Sequence, residues 1–462
     1  MSLIAIVLAA GQGTRMRSVL PKVLHRAAGR ALLDWSLRAI SGLKPARTIV
    51  IVGHEAERVS ATLPEWAQPV VQESQLGTGH AVMVALATLG DLADDDTVLI
   101  TYGDMPLVTQ ELLAAAVAAR RGRTAAMVTF EAQDPTGYGR IFREDGGTFS
   151  RVVEEKDASP EQRAIVEVNA GIYAFAGAAL KSALGKVASD NANGEYYLPD
   201  VLEILIQNGE QIATVKADPM EVAGVNSQDQ LADADAELRR RINQSWQQRG
   251  VWMQDPERVY IDDSVELGAG VRLYPGVHLE GQTRVEEGAE VGPDAFVLDS
   301  TIGAGARVWY SVLRSARVGE GAEVGPYASL RPGTVLESNS KAGTFVEIKN
   351  SSIGEGAKVP HLSYIGDATI GPRVNVGAGS ITCNYDGYEK HHTVIGEGAF
   401  IGSDTMLVAP VVIGPGAYTG AGSVITRDVA AGALAVERAH QEEIPGYAAR
   451  REERHRSKAS ED

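Results

Sequence analysis

The sequence predicts a Rossmann-like α/β domain with a mostly parallel sheet, then a linker helix, then a parallel β-helix of hexapeptide repeats. Three observations carry that expectation. Over residues 1–226 apolar strand-like runs alternate with amphipathic helical ones, the pattern of a parallel sheet covered by helices. Residues 227–250 are charged and hold few helix breakers. From Ile261 on, an apolar residue recurs every six positions, a period that fits neither a helix nor plain strand alternation.

In the first domain the expected strands include Ile4–Leu8, Thr48–Val52, Thr97–Thr101 and Ala125–Phe130. The apolar opening MSLIAIVLAA lacks a basic leader and runs straight into Gly11–Arg15, so it reads as a buried strand and not as a signal peptide. The next segment, LADADAELRRRINQSWQQR, places acidic residues early and arginines late, which suits a helix and its dipole. This helix is expected to join two domains.

The β-helix is expected over 251–437. Ile261, Leu267, Leu273, Leu279, Val285, Val291 and Val297 keep the beat without a slip. It resets at loops and ends with Ile395, Ile401, Leu407, Ile413, Thr419 and Ile425. Each hexad supplies one short strand and one corner of a prism with three flat faces. Small or β-branched residues four places after many beats, such as Val265, Val271, Ala289 and Ala322, suit tight corners, and Gly supplies backbone angles that other residues resist. Residues 438–462 read as a polar, charged, mobile tail.

Composition narrows the function. A chain of 462 residues is too long for one compact core. Its net charge of -17, from 43 basic and 60 acidic residues, argues against duplex nucleic acid or an anionic membrane surface as a partner. No apolar stretch is long enough to span a bilayer. The single cysteine, Cys383, excludes a disulfide framework and a cysteine-built zinc site, and it fits a reducing cytoplasm.

Chemistry first gathers around LAAGQGTRM, Leu8 to Met16, and LPKVLH, Leu20 to His25. A glycine-bearing turn after a parallel strand brings backbone N–H groups against a phosphate chain, and Arg15 and Lys22 can neutralise its charge. In TYGDMPL a strand ends at Tyr102, Gly103 and Asp104, placing a carboxylate where open α/β sheets expose ligands. The Gly11–Gly13 string lacks both the P-loop ending and the full dinucleotide fingerprint. Together with its Arg and Pro-Lys it resembles the signature of sugar-phosphate nucleotidyltransferases.

That resemblance implies a nucleotide and sugar site made of Leu8, Ala9, Ala10, Gly11, Gly13, Lys22, Gln72, Gly77, Thr78, Tyr102, Gly103, Asp104, Gly139, Glu154, Asn169 and Asn226. Gln72 and Gly77-Thr78, in QESQLGTGHA, match the uracil-reading positions. Gly139, Glu154 and Asn169, in DPTGYGRI, VVEEKD and EVNAGIY, match those holding the amino-sugar. Asp104 and Asn226 match the protein ligands of Mg2+, a cation that keeps several waters and leans on substrate phosphates. Uridylyl transfer is then in-line attack of a sugar 1-phosphate oxygen on the α-phosphorus of UTP, with Arg15, Lys22 and Mg2+ supplying charge.

The second cluster lies where the hexad beat breaks. Arg331 and Lys349 project from the coil where they can bind a phosphate, HLSYIGD follows at 361–367, and Asn384–Lys390 is too irregular for the coil. His361 is a side chain suited to taking a proton from an amine near neutral pH. Here the chain resembles the acetyltransferase domain of bifunctional N-acetylglucosamine-1-phosphate uridylyltransferase/glucosamine-1-phosphate N-acetyltransferases, and the resemblance covers essentially the whole length. It implies a left-handed coil and His361 as the base that deprotonates the amine attacking the acetyl-CoA thioester. It implies Arg331, Lys349 and Lys390 on the sugar phosphate, Tyr364 and Asn375 on the sugar, and Asn384 and Tyr385 lining the site. Ala378, Ser403, Ala421 and Arg438 match CoA-binding positions. It also implies a homotrimer, with Asn384 and Lys390 acting on an adjacent subunit's site, and a place in supplying UDP-N-acetylglucosamine for cell-wall synthesis.

Two departures stand out: Pro360 precedes His361 where Gly is expected, and Ala170 follows Asn169 where Thr is familiar. Pro360 bears on the backbone angle of His361. Ala170 removes a hydroxyl beside the sugar site. A nucleotidyltransferase with a merely oligomerising coil is opposed by Arg331, Lys349, His361 and Tyr364. A non-enzymatic scaffold of the translation-exchange-factor type is opposed by Arg15, Lys22, Asp104 and Asn226.

Overall fold

The computed structural model describes residues 2–191 and 193–459. It divides into two compact units, one reaching Gln244 and including Ile261–Asp263, the other made of Ser245–Tyr260 and the chain from Ser264 on.

The first unit is a mixed, mostly parallel sheet. Its strands are β1 (Leu3–Ala9), β2 (Arg47–Val52), β3 (Ala67–Val71), β4 (Thr97–Tyr102), β5 (Ala125–Glu131), β6 (Arg140–Arg143), β7 (Phe149–Val153), β8 (Glu167–Ala176) and β9 (Ile212–Lys216). The main order is β9-β5-β8-β4-β1-β2-β3, with β6 on β8 and β7 on β6. β1 pairs in parallel with both β2 and β4, so the chain steps outward through β2 and β3 and returns on the other side of β1. That reversal makes a crevice at the carboxyl ends of β1 and β4, where Leu8 stands opposite Tyr102.

Alternation along β1 builds two cores. Ala5, Val7 and Ala9 face one, with Leu33, Leu37 and Ile40 of α1 (Leu32–Ser41) against them. Ile6 and Leu8 face the other, with Ala81, Val82 and Ala85 of α2 (Thr78–Ala87). These positions recur at the helical period, so each helix lays one stripe on the sheet. The helix expected over 227–250 is α3 (Gln228–Gln248). Its first part belongs to the first unit, where Ala234 and Leu238 pack with Met16, Ala27, Leu32 and Leu107, and the unit boundary falls after Gln244, within the helix.

The second unit winds three parallel sheets of 11, 10 and 9 strands, each strand pairing with one a full turn away. One inner column runs Leu273, Val291, Val308, Val324, Ala342, Val359, Val376 and Ile401. All are buried. Successive beats fall on successive faces, so an apolar residue every sixth position fills the axis of the prism. Each buried Leu, Ile or Val there contributes about 1.5–3 kcal/mol of transfer free energy.

Two expectations change. The small residues four places after the beat, Val265, Val271, Ala289 and Ala322 among them, are themselves buried and help fill the interior at the corners. One corner is not small at all: Tyr310, Tyr327, Phe345 and Leu362 succeed one another with positive φ, and the first three rings stack at centroid distances of 5.6 and 5.5 Å. Left-handed backbone at a bulky residue costs about 1–2 kcal/mol, which ring stacking partly offsets. The tail expected to be mobile contains a helix, Tyr447–Ala459, with Arg456 and Lys458 in its last turn, where cations suit the dipole.

Candidate active sites

The crevice between β1 and β4 opens into a cavity of about 560 Å³. Its walls include Leu8, Ala9, Ala10, Gly11, Arg15, Lys22, Gln72, Gly77, Thr78, Tyr102, Asp104, Gly139, Glu154, Asn169 and Asn226. Residues scattered over more than two hundred positions of sequence therefore share one space. Gly13 and Gly103 are not in its lining, and both explain themselves by packing. Gly13 has φ 63°, and a Cβ there would lie 2.6 Å from the Cβ of Lys22; a Cβ on Gly103 would lie 2.8 Å from Leu33 Cδ1.

Lys22 donates to Asp104 Oδ2 and, at 3.1 Å, to Asn226 Oδ1. A carboxylate and an amide oxygen thus converge on one cationic centre. That donor set suits a hard divalent cation such as Mg2+. Among the described residues no group of three or more His, Cys, Asp or Glu side chains could hold a metal.

On the base side, Gln72 is buried and donates its amide to Gly77 O at 3.2 Å, with His80 Nδ1 at 3.0 Å. Gly77 has φ 105°, and a Cβ would stand 2.6 Å from Tyr196 O, so only glycine fits the turn into α2. Thr78 Oγ1 accepts from Leu198 N–H at 3.1 Å.

At another wall of the cavity, the β8–β5 ladder shifts register between Asn169 and Tyr173. The irregularity frees Asn169 for the cavity, and its amide is fixed by Tyr173 OH at 2.5 Å and by Gly171 N–H at 2.9 Å. Burial, reinforced by the neighbouring Asp200 and Asp157 carboxylates, pushes the Glu154 carboxyl up to about 7. Burial and acidic neighbours led by Glu203 likewise raise Asp200 to about 6. Behind them Arg140, 2 % exposed, donates to Tyr138 O and pairs with Glu155 at 2.6 Å. Gln75, Tyr138, Glu195 and Gln230 also line the cavity and were missed by sequence reasoning. Gln75, Tyr138 and Gln230 lie inside strings singled out for their neighbours, the last closing GVNSQDQ around Asn226; Glu195 carries no sequence signal.

In the coil, His361 ends the strand Lys358–His361 and Tyr364 begins the next, Tyr364–Gly366, across the corner at Leu362. Pro360 does not disturb this. The strand keeps register through it, with Thr344 opposite His361, because Gly343 lies beneath, where a Cβ would come within 2.0 Å of Pro360 O. The His361 ring is exposed, whereas His391 is paired with Asp386 at 2.7 Å and His392 with Thr369 at 2.9 Å.

Arg331 follows Leu330, which registers with Ile348, so Arg331 and Lys349 stand one turn apart on the same edge. Arg331 is braced by Glu347 at 2.8 Å. Lys349 aligns with Gly366, where a Cβ would lie 2.4 Å from Tyr364 OH and 2.7 Å from Asn384 Nδ2. The bare backbone at Gly366 is what lets those two polar groups converge. Asp367 sits among them, accepting from Asn350 at 2.6 Å and Asn384 at 2.5 Å. Burial alone would raise its carboxyl, but these bonds and the nearby Lys349 and Lys390 hold it below the usual range. Lys390 is pulled down by the Lys349 ammonium beside it. Asn384 and Lys390 stand beside Asp367 and Lys349.

The remaining positions form a column along the His361 corner. Gly379 N–H points to His361 O at 3.4 Å, Asp404 N–H donates to Ala378 O at 2.7 Å, and Gly422 N–H to Ser403 O at 2.8 Å. Arg438 closes the column on Ala421 O at 2.8 Å. Asn375 lies on the face leading to it, in register with Lys358 and Phe400. Tyr385 and Lys390 are bridged at the base of a small hairpin, with Tyr385 exposed.

Residues 5–196 match the MobA-like NTP transferase domain, and residues 392–427 match the bacterial transferase hexapeptide (six repeats). The chain is 50% identical over 453 residues to Bifunctional protein GlmU of Streptomyces coelicolor, covering 96% of this chain and 94% of that protein. It is 48% identical over 449 residues to Bifunctional protein GlmU of Thermus thermophilus, covering 96% and 98%. The chain belongs to the GlmU family. The coil is therefore the left-handed β-helix of hexapeptide transferases. As a GlmU-family enzyme the chain transfers acetyl from acetyl-CoA to glucosamine 1-phosphate and uridylyl from UTP to N-acetylglucosamine 1-phosphate, which supplies UDP-N-acetylglucosamine for cell-wall synthesis. The nucleotidyltransferase half of the GlmU family works with a divalent metal.

Proposed function

We propose that the sheet-end cavity carries out uridylyl transfer through Arg15, Lys22, Asp104 and Asn226, and that the coil carries out acetyl transfer through His361. The observation that carries the reading is the meeting of Lys22, Asp104 and Asn226 in the cavity that Gln72, Glu154 and Asn169 also line. In this division the nucleotidyl-transfer half runs to about residue 226, and the acetyl-transfer coil occupies 251–437.

In the cavity the phosphate oxygen of N-acetylglucosamine 1-phosphate attacks the α-phosphorus of UTP and pyrophosphate leaves. The nucleophile is already anionic, so positioning and charge neutralisation dominate and no general base is needed. Mg2+, when held by Asp104 and Asn226, supplies neutralising charge at the phosphate oxygens. Leu8 to Gly11 and Gly13 shape the loop whose backbone N–H groups face the phosphates, and Arg15 and Lys22 pair with them. The Gln72 carbonyl oxygen accepts the imide N–H of uracil, which cytosine lacks. Asn169, Glu154 and Gly139 hold the amino-sugar.

In the coil His361 takes a proton from the glucosamine ammonium. The freed amine attacks the thioester carbonyl, the C–S bond breaks, the CoA thiolate recovers the proton from His361, and the nitrogen sheds its remaining surplus proton to water as the amide forms. A backbone N–H near Ala378 faces the developing oxyanion. Arg331, Lys349 and Lys390 bind the phosphate, Tyr364 and Asn375 the sugar, with Asn384 and Tyr385 beside it. Ala378, Ser403, Ala421 and Arg438 form the track for CoA. The three flat faces favour a homotrimer. A cytoplasmic location suits the nucleotide and thioester substrates and the lone cysteine.

Incubation with acetyl-CoA, glucosamine 1-phosphate, UTP and Mg2+ tests the reading. Both CoA and pyrophosphate should appear, and unchanged CoA release by His361→Ala would overturn the base assignment. Sedimentation at assay concentration should give three times the chain mass.

A further inference from the structure

The first two turns of α3 approach the nucleotidyl site through two glutamines, and the two act with opposite polarity. Gln230 accepts the backbone N–H of Asn226 at 2.8 Å through its Oε1 and lines the cavity. Gln228 donates its Nε2 to Met16 O at 3.1 Å, closing the turn that carries Arg15. Further along the same helix Asp235 accepts from Ala28 N–H at 2.8 Å, and Arg241 donates to Leu107 O at 2.9 Å. Val225 N–H in turn donates to Asp104 O at 2.9 Å, so the backbone just before Asn226 is tied to that of Asp104. Packing of Ala234 and Leu238 against Met16, Leu32 and Leu107 fixes the helix as a rigid beam under these bonds.

We infer that α3 is a positioning element of uridylyl transfer: Gln230 sets the Asn226 oxygen for the divalent cation, and Gln228 sets the Arg15 turn for the triphosphate. Both side chains are exposed at the start of the helix. Their value lies in what they hold. Groups that orient metal ligands typically change metal affinity or activity by about 10- to 100-fold when removed, and loss of one neutral hydrogen bond is worth about fivefold in binding. The inference rests on the proposed uridylyl site, and the experiment separates the two.

Pyrophosphate release by the full-length protein is measured against Mg2+ and against UTP, with Mn2+ binding read directly by electron paramagnetic resonance and CoA release as an internal control. Gln230→Leu should raise the Mg2+ midpoint and the Mn2+ dissociation constant about 10-fold, with UTP KM at saturating metal little changed. Gln230→Glu keeps an acceptor for the Asn226 N–H and should restore both. Gln228→Ala should raise UTP KM about fivefold and leave the metal midpoint alone. Gln228→Glu loses the donor and should not rescue it. Equal metal midpoints in wild type and Gln230→Leu, or rescue by Glu at both positions, would overturn the inference. Metal-independent activity of the wild type would instead overturn the site reading. A urea unfolding midpoint of the first unit that fell with either variant would mark a folding defect and refute the positioning role.

Discussion

The two sites are made by opposite means. The cavity site is a gathering: Lys22, Gln72, Asp104, Glu154, Asn169 and Asn226 arrive from loops and strand ends far apart in the chain, and the switch point between β1 and β4 brings them together. The coil site is a stacking: His361, Ala378, Ser403, Ala421 and Arg438 follow at steps of 17, 25, 18 and 17 residues, one turn each, with the long step absorbing the hairpin between Asn384 and His391. A gathered site depends on which segments meet. A stacked site depends on register alone. Errors should therefore stay local in the cavity and travel along the edge in the coil.

The strongest way to break that contrast is to remove one key group from each site. His361→Ala should lower the acetyl-transfer kcat by about 10²–10⁴ while pyrophosphate release from supplied N-acetylglucosamine 1-phosphate stays unchanged. Lys22→Met should do the reverse, lowering uridylyl transfer by about 10²–10³ with CoA release intact. A substitution that depressed both reactions equally would end the picture of two separate sites.

A smaller effect concerns pH and belongs to the cavity alone. The carboxyl of Glu154 is raised from its ordinary 4.5 to about 7, so between those values the folded protein holds a proton that the unfolded chain has released. Stability of the first unit should fall as pH rises through that window, by on the order of 3 kcal/mol, and level off above it. Glu154→Gln should flatten the fall in urea unfolding curves followed at pH 5 and pH 8; a parallel fall in wild type and variant would assign it elsewhere. The smallest effect sharpens the coil. Gly366→Ala puts a Cβ 2.4 Å from Tyr364 OH, and the forced shift should raise KM for glucosamine 1-phosphate about 10-fold, with KM for acetyl-CoA unchanged.

The same contrast explains what the sequence could disclose. Strands such as Ala125–Phe130 and the beats from Ile261 to Val297 are written in local periodicity, and the structure places them as strands and buried columns. The candidate residues around Lys22 and Asp104 were legible because each sits in a short string of distinctive chemistry. Gln230 was not, since an exposed glutamine in a charged helix looks like solvent-facing surface until the fold brings it under Asn226. The bulky corner of Tyr310, Tyr327 and Phe345 was equally hidden: positive φ at an aromatic residue leaves no mark in the sequence, and only the turn-by-turn alignment stacks the rings. Gly343 beneath Pro360 shows the same limit, because the compensation for the proline lies one turn away.

The column that begins at His361 has a length as well as a chemistry. Four turns at the inter-strand spacing of about 4.8 Å set Arg438 roughly 19 Å from the level of His361. With CoA on the proposed track, the coil is a measuring stick, graduated in whole turns, that fixes how long an acyl carrier must be to touch both ends at once. Excising one complete turn between Ser403 and Ala421 would preserve every inner column yet shorten the scale by one mark, leaving a carrier's far end with nothing to hold.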